Sequence, residues 1–471
     1  MAGNVQATLS CKAPTHAEIS SNEGEIIYCM FQHADAKPFW HQSPLPYLVS
    51  AVAFKNWDSS EKVARLIPLI FTLLAGFFLY RLLADLWDTQ TALLGLFAFW
   101  ASPPVIVFAM SNNHIVLSFA TVLLSIYVWT KAFNNTSRLW MVAAAVSALL
   151  AMWTYWHAYF LPFFFAFAEF RYGSLPSRTR RALAWGALPF LSFAAFLLFQ
   201  YQQNPDGVRD LLETALSRSG VSDSSWTVGE ALKGIAVEIS DLWHPVFLVV
   251  ALAFIVLLFT RGIPLSDPRQ ITVLAVLAGS PVLYWFAMAR VAASELMFNT
   301  LLAAPFLAIC FARGMREILQ ARLAVFYLPV IALVASNVLW NADSWQSRLY
   351  NIYNNEGYEV ATLVRQITKP GDFVFEDGHE IGPGRLMYYA PQRVVVKLPN
   401  FPAPPGIHPV DYIESSLRKV SGREVYLIAL TTRTPTVISE ELFSRRGLRL
   451  QAIRTYSAWT IFKIERVASK G

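Results

Sequence analysis

Ten apolar runs, each close to the length of a bilayer-spanning helix, limit the folds open to this chain more than any other feature. A helix needs ~20 predominantly apolar residues to cross the hydrocarbon core of a membrane. Charged residues make up only 15% of the sequence, whereas ordinary soluble domains are about a quarter charged. We therefore expect a polytopic α-helical membrane protein with about ten spanning helices, at residues 63–85, 91–110, 114–132, 139–155, 156–170, 182–201, 244–260, 271–289, 295–312 and 322–340.

Short connections between some of these runs predict how the helices pair. Ser111–Asn113 separates one pair of runs and Tyr155–His157 separates another. Such short connections are typical of antiparallel helical hairpins. Residues 44–54 are also apolar but are too few to span a membrane, so we expect them to form a helix that lies in the interface.

Basic residues indicate which connections face the cytoplasm. They are concentrated in alternate connections, at Lys131, Arg138, Arg171, Arg178, Arg180, Arg181, Arg261, Arg269, Arg313, Arg316 and Arg322. Short cytoplasmic loops of membrane proteins are enriched in Lys and Arg. The net charge of +6 is therefore explained by membrane orientation, and we expect no nucleic-acid partner.

The same orientation predicts three regions. Residues 1–62 form an extracytoplasmic segment with the interfacial helix, residues 63–340 form the transmembrane helical domain, and residues 341–471 form an extracytoplasmic domain. Within the second region, the outer connection 202–243 contains two amphipathic stretches, 208–216 and 228–239. We expect these stretches to lie on the membrane, either as a roof over a binding pocket that guides a lipid or as a passive lid.

The C-terminal region reads as a small α/β domain. Residues 355–367 have helical spacing, and the segments 373–375, 393–396, 424–430 and 459–464 are rich in β-branched and aromatic residues. A domain of this length is within the usual size range.

Several motifs carry a resemblance to a known family. They are the acidic segment that begins at Asn22 and the motifs Pro44-Leu45-Pro46-Tyr47, Ala64-Arg65-Leu66-Ile67-Pro68, Pro370-Gly371-Asp372 and Met387-Tyr388-Tyr389-Ala390. In order and spacing they resemble the C-type membrane glycosyltransferases, especially bacterial protein-mannosyltransferase and aminoarabinose-transferase relatives, over residues 22–471. The resemblance implies an enzyme that transfers a sugar from a polyprenyl-phosphate donor to an acceptor on the outer face, with inversion at the sugar carbon.

Such a reaction requires a carboxylate near the membrane surface, because the acceptor hydroxyl must lose its proton as it attacks. Glu23, Glu25 and Asp35 are in the right region. The resembling family usually has Asp-Glu at the start of this segment, whereas this chain has Asn22-Glu23, and a neutral amide does not accept a proton. Glu23 or Glu25 is then the base and Asn22 a substrate contact, or these acids are solvated loop residues and the chain does not catalyse the reaction.

Two histidines occupy positions where the resembling family has acids. His41 lies in the run that matches Glu-Lys-Pro-Pro-Leu, and His114 matches an Asp at the outer start of a helix. Histidines are placed on the predicted outer side throughout, at positions 33, 41, 114, 157 and 244. They are candidates for a base (His41, His114), a substrate contact (His157) or ligands of a divalent metal ion whose identity is unknown. Interfacial anchoring is the alternative.

The leaving phosphate requires a cation. Arg290, at an outer helix end, is the first candidate, and its alternative role is a structural ion pair with Glu295. Lys37 and Arg65 are further candidates, with solvation and interfacial anchoring as their alternatives.

The resemblance also implies a spanning helix before the acidic segment, but Met1–Ile19 is polar. An incorrect start site, loss of the helix, or a partner subunit that supplies it would each explain this. The expected partners are membrane lipid and a polyprenyl-phosphate-linked sugar, and the expected location is a bacterial plasma (inner) membrane with both termini outside. A catalytically degenerate accessory or structural subunit is the main alternative, and a transporter is less well supported because paired inverted halves are not evident.

Overall fold

A computed structural model describes most of the helical region and the core of the C-terminal domain. The described residues are 44–57, 61–109, 114–133, 135, 137–173, 177–203, 207–219, 229, 233, 236, 243, 245–260, 267–288, 300–320, 325, 327–332, 335, 355–369, 372–377, 394–397, 413–414, 424–430, 440–456 and 459–467. The chain forms two compact units, a helical unit over residues 40–346 and a second unit that contains residues 347–471.

The helical unit follows the apolar runs of the sequence. Its helices are α1 (Leu45–Asn56), α2 (Glu61–Leu86), α3 (Thr89–Trp100), α4 (Pro103–Phe108), α5 (His114–Phe133), α6 (Arg138–Met152), α7 (Leu161–Tyr172), α8 (Arg178–Gln203), α9 (Gly207–Ser219), α10 (Pro245–Thr260), α11 (Pro268–Ala287) and α12 (Ala304–Gln320), with short 3₁₀ helices at Trp156–Phe160 and Thr300–Ala303. The helix α1 corresponds to the predicted interfacial helix.

Length and composition allow a membrane crossing for four of the described helices, α2, α5, α8 and α11. Shorter apolar helices occur at Thr89–Trp100, Arg138–Met152 and Phe247–Leu258. The surface of α8 is apolar, with Leu183, Phe190 and Leu191 each about two-thirds exposed (69, 68 and 66%). Soluble monomers rarely expose such patches. A helical membrane architecture is therefore confirmed, while the number of ten spans remains a prediction.

The predicted run 91–110 is divided into two helices rather than one. The helix α3 ends at Trp100, and α4 begins at Pro103 after Ser102 in an extended conformation. Proline lacks a backbone N–H and disfavours helical geometry in the residue before it, so Pro103 and Pro104 end the first helix and begin the next. The tenth run, 322–340, lies largely outside the described residues.

Aromatic stacking and small residues hold the helices together. The rings of Trp129 on α5 and Phe165 on α7 stack with centroids 4.8 Å apart, and Trp185 on α8 meets Phe165 edge-on at 5.2 Å. Between α10 and α12, a Cβ added to Gly314 would lie 2.7 Å from the carbonyl oxygen of Val250. Only glycine permits this close approach, which is how helices commonly pack in membranes.

Ion pairs join the Lys- and Arg-containing connections at one end of the helical unit. We call this end the basic end. Lys131 Nζ lies 2.6 Å from Asp85 Oδ2, and Arg316 Nε lies 3.7 Å from Asp88 Oδ2. Asp88 also caps α3, accepting a hydrogen bond from Thr91 N at 2.8 Å. The clustering of the predicted cytoplasmic residues at one end is thus present in the structure, and the side of the membrane on which this end lies remains a prediction.

The second unit is a five-stranded sheet with helices. Its elements are α13 (Asn355–Ile367), β1 (Phe373–Asp377), β2 (Val394–Lys397), β3 (Val425–Leu430), α14 (Glu440–Arg445), β4 (Leu448–Tyr456) and β5 (Trp459–Arg466). The strand order is β2-β1-β3-β5-β4, with β1 parallel to β2 and β3, and β5 antiparallel to β3 and β4. The predicted C-terminal sheet is therefore present, and β4 is the strand that the sequence analysis did not include.

Asp372, part of the Pro370-Gly371-Asp372 motif, has a structural role. Its side chain is 4% exposed. Its carboxylate accepts hydrogen bonds from Lys369 N at 2.6 Å and from Glu424 N at 3.2 Å. The carboxylate thereby joins the connection before β1 to the start of β3, and a buried carboxylate satisfied in this way belongs to the fold rather than to a reaction site.

An acid-dependent contribution to the stability of this sheet is expected from Glu424. Lys463 Nζ lies 2.8 Å from Glu424 Oε1, and hydrogen bonds from Lys463 and Tyr426 lower the pKa of Glu424 below its ordinary value of 4.5. A lowered carboxyl pKa stabilises the folded state above the unfolded-state pKa, and the stabilisation disappears as the pH falls through the folded-state pKa. Hydrogen exchange of β3 and β5 should therefore be slower in the wild type than in Glu424→Gln near neutral pH.

That difference in hydrogen exchange should vanish well below pH 4.5, where Glu424 is protonated. Comparing the two proteins at each pH cancels the intrinsic pH dependence of exchange. A difference that persists unchanged under acid conditions would contradict this account of Glu424.

Candidate functional site at the turn end

The predicted site residues are described to different extents. His157 and Arg65 are described with their side chains, and His114 begins α5 with a described backbone. Asn22, Glu23, Glu25, Lys37, His41 and Arg290 lie outside the described residues, as do Asp35, His33, His244 and Glu295. The geometry of the site is therefore built from the elements around His157, Arg65 and His114.

A hydrogen bond between α1 and the end of α6 organises the end of the helical unit opposite the basic end. Leu45 N donates to Trp153 O at 3.0 Å. The helix α6 ends at Met152, and the connection from Trp153 to His157 turns back into α7. We call the part of the helical unit around this connection the turn end. This bond fixes the start of α1 at the turn end.

A hydrophobic contact places Arg65 and His114 at the same end. Ala53 of α1, Ile67 of α2 and Leu117 of α5 form one buried cluster. Arg65 lies two residues before Ile67, in the second turn of α2, and its side chain is exposed. His114 lies three residues before Leu117, at the first position of α5. The structure thus brings Arg65, the backbone of His114 and the Trp153–His157 connection to one end of the bundle.

A pair of tyrosines ties this connection to α11. The hydroxyl oxygens of Tyr155 and Tyr284 are 2.8 Å apart, and both side chains are buried, at 4% and 5% exposure. The contact links residues 129 positions apart in the sequence. Arg290 is six residues beyond Tyr284 in the chain. The tyrosine pair therefore fixes the position of α11, the helix that ends three residues before Arg290.

His157 is the described candidate with an unsatisfied polar atom. Its side chain is 3% exposed, and its Nδ1 has no hydrogen-bond partner among the residues that the structure describes. Its ring lies 5.3 Å from the ring of Tyr155, centroid to centroid. Burial of an imidazole favours its neutral form, which has one donor and one acceptor. This form is suited to a hydrogen bond with an uncharged hydroxyl group and not to neutralising a phosphate.

Aromatic side chains of the Trp153–His157 connection contact α8. Trp153 Nε1 donates to Ser192 Oγ at 3.2 Å. Trp156 stacks with Tyr159 at 5.6 Å and meets Phe196 edge-on at 5.3 Å. Ser192 and Tyr284 were not predicted as site residues, because each lies within a long apolar run and its role depends on contacts between distant helices.

The described residues contain no cluster of three or more His, Cys, Asp or Glu side chains that could hold a metal ion. Most of the predicted acids and histidines, including His33, His41 and His244, lie outside this part of the chain, so the divalent metal ion stays a prediction.

Sequence and structure comparisons identify related proteins. The sequence model of the family described as dolichyl-phosphate-mannose-protein mannosyltransferase matches residues 34–199. The structure of ArnT from Cupriavidus metallidurans bound to undecaprenyl phosphate is similar, with a TM-score of 0.59 at 12% identity over 99% of this chain and 96% of that chain. The resemblance to the C-type membrane glycosyltransferases is confirmed. No curated protein sequence matches this chain.

A second solved structure shares the fold over a smaller part of its own length. The archaeal oligosaccharyltransferase AglB from Archaeoglobus fulgidus, in complex with an inhibitory peptide and a dolichol-phosphate, has a TM-score of 0.52 at 14% identity. The likeness covers 84% of this chain and 62% of AglB. At these identities the two structures show a shared fold. The match to the mannosyltransferase family covers Lys37, His41, Arg65, His114 and His157 and ends before Arg290.

Proposed function

We propose that this chain is a membrane glycosyltransferase that moves a sugar from a polyprenyl-phosphate donor to an acceptor on the outer face of the membrane. The main support is the fold shared along almost the whole length of ArnT, a protein solved with undecaprenyl phosphate bound. The match to a mannosyltransferase family over residues 34–199 supports the same class of reaction. Under this proposal the turn end faces the outside and the basic end faces the cytoplasm, in agreement with the enrichment of Lys and Arg there.

The proposed reaction is an in-line displacement at the anomeric carbon. Glu23 or Glu25 accepts the proton of the acceptor hydroxyl as its oxygen forms the new bond to the sugar. The bond between the anomeric carbon and the phosphate oxygen breaks at the same time, with inversion, and the polyprenyl phosphate leaves with the electron pair. Arg290, Lys37 and Arg65 are the cations proposed to stabilise its charge.

The histidines have separate proposed roles. His41 and His114 replace acids of the resembling family and are alternative proton acceptors. His157 is proposed to hydrogen-bond an uncharged group of the substrate, since its ring is buried and Nδ1 has no partner. Asn22 is proposed to contact substrate through its amide.

Turnover by the full-length chain in lipid nanodiscs tests the proposal. A panel of undecaprenyl-phosphate monosaccharides is supplied with detergent-extracted membrane lipids and peptides as acceptors, and free undecaprenyl phosphate is measured. We expect at least one donor to be consumed with transfer of its sugar. Parallel reactions with EDTA determine whether a divalent ion takes part.

The accessory-subunit alternative predicts a different result in the same experiment. Asn22 at the position of the usual catalytic Asp is the observation that favours it. If the chain binds undecaprenyl phosphate but consumes no donor, with or without added divalent ions, the transferase proposal is wrong and the accessory role is supported.

A further inference from the structure

The edge strand β4 contributes little to the core of its own domain. Seven of its nine residues are exposed, including all six from Gln451 to Tyr456. Ile453 and Tyr456 are large side chains at 41% and 37% exposure. Among the described residues, the core under α13 is built from β1, β3 and β5 and contains no residue from β4. A strand that buries so little is held mainly by its ladder to β5.

The outer edge of β4 offers backbone groups for pairing. Among the described strands, β4 pairs with β5 only, over eight register positions. Exposed edge strands are unusual unless shortened, blocked or covered, because their free N–H and C=O groups can pair with another chain. The irregularity between Ala452 and Arg454 bends the strand without ending its pairing to β5.

Charge on β4 indicates which kind of segment it would accept. The strand Leu-Arg-Leu-Gln-Ala-Ile-Arg-Thr-Tyr contains two arginines and no acid. Arg449 is opposite Glu465 and Arg454 is opposite Ile461. Glu465 and Ile461 are four residues apart, so the two arginines lie on one face of the sheet. Both are exposed, and within the described part of the chain neither forms an ion pair.

We propose that β4 is a docking edge for an extended, acidic polypeptide segment that adds to the sheet as a further strand. Backbone pairing along the edge would supply affinity, and acidic side chains facing Arg449 and Arg454 would supply selectivity. A polypeptide fits this surface better than an anionic lipid or glycan, because only a polypeptide can match the alternating donors and acceptors of a strand edge. The proposal does not depend on the transferase reaction.

Peptide binding to the full-length chain in nanodiscs of neutral lipid tests the docking edge. The probe is a fluorescent peptide of alternating valine and glutamate, and its binding is measured by fluorescence anisotropy. We expect Arg449→Gln/Arg454→Gln to weaken binding about fivefold through loss of two exposed ion pairs. The matched control, Arg365→Gln/Lys369→Gln, removes two exposed charges of the same domain and should change binding less than about twofold.

An N-methylated peptide of the same sequence separates backbone pairing from simple charge attraction. It keeps the side chains but lacks the backbone donors, and we expect it to bind about tenfold more weakly or worse. Equal binding of the two peptides, equal binding of polyphosphate, or equal loss in both double variants would overturn the proposal. So would the absence of peptide binding up to about 1 mM.

Discussion

Replacing Arg181 by alanine is expected to destabilise the helical unit by about 3–5 kcal/mol. Glu169 on α7 is fully buried, and Arg181 Nη1 lies 3.8 Å from its Oε2. Among the described residues neither carboxylate oxygen has a hydrogen-bond partner, and the nearby guanidinium of Arg181 favours the ionised carboxylate. Without this guanidinium the carboxyl group is either an uncompensated buried charge or must take up a proton, and both outcomes cost more than losing an exposed pair.

Arg181 has a second role that the substitution also removes. Its Nη2 donates to the carbonyl oxygen of Asn135 at 3.0 Å, and its Nη1 donates to that of Phe133 at 3.5 Å. One side chain therefore connects the end of α5, the end of α7 and the start of α8 at the basic end.

Equilibrium unfolding in mixed detergent micelles measures this effect. The matched control is Arg180→Ala, which removes an exposed arginine one residue away and should change the unfolding free energy by less than about 0.5 kcal/mol. The double variant Arg181→Ala/Glu169→Gln should recover part of the loss, because the buried charge is gone. Similar unfolding free energies for Arg180→Ala and Arg181→Ala would show that the buried pair does not stabilise the unit.

The largest expected effect on activity comes from the proposed base. Of the two variants Glu23→Gln and Glu25→Gln, the one that removes the base should lower kcat by roughly 10²- to 10⁴-fold, the usual contribution of a general base. The double variant should lower kcat by about the same factor, because only one of the two carboxylates accepts the proton. Binding of undecaprenyl phosphate should be unchanged, because the carboxylate acts on the acceptor hydroxyl and not on the donor lipid.

Glu18→Gln provides the control for this prediction, since Glu18 is an acid of the same N-terminal region outside the proposed set. Donor turnover and lipid binding are measured on all variants in the same nanodiscs. Full turnover by the double variant would exclude both glutamates as the base and direct attention to His41 and His114.

Local sequence patterns predicted those elements in which apolar residues recur at a regular spacing. The helix expected at 355–367 is Asn355–Ile367, and the helix expected at 44–54 is Leu45–Asn56, whose interfacial location stays a prediction. Both helices were predictable because the spacing of apolar residues and the flanking turn residues are local features of a single element. The prediction of one helix over 91–110 was wrong, because it was based on hydropathy alone and hydropathy does not show that the two prolines divide the run.

Features that depend on distant contacts were not predictable in this way. The strand β4 was missed because its mixed polar and apolar residues resemble a solvated segment, and its pairing with β5 is what makes it a strand. Glu169 is a single acid in an apolar run, and its partner Arg181 was interpreted only as a topology signal. The Tyr155–Tyr284 contact joins two helices that no local pattern connects.

The roles of the candidate site residues stay predictions, but the structure agrees with the expected placement of three of them. His157, Arg65 and the start of α5 at His114 do lie at one end of the bundle, through the Leu45–Trp153 bond and the Ala53–Ile67–Leu117 cluster. The chemical state of His157 was not predictable, because its burial and its unsatisfied Nδ1 follow from the packing of the turn end.

The proposed function requires that the lipid carrier presents its phosphate at the turn end. Photo-crosslinking with an undecaprenyl phosphate analogue that carries a diazirine next to the phosphate tests this directly, with labelled peptides identified by mass spectrometry. We expect labelling within residues 153–160 and near Tyr284. Labelling confined to the basic end, around Lys131, Arg181 and Arg316, would contradict it.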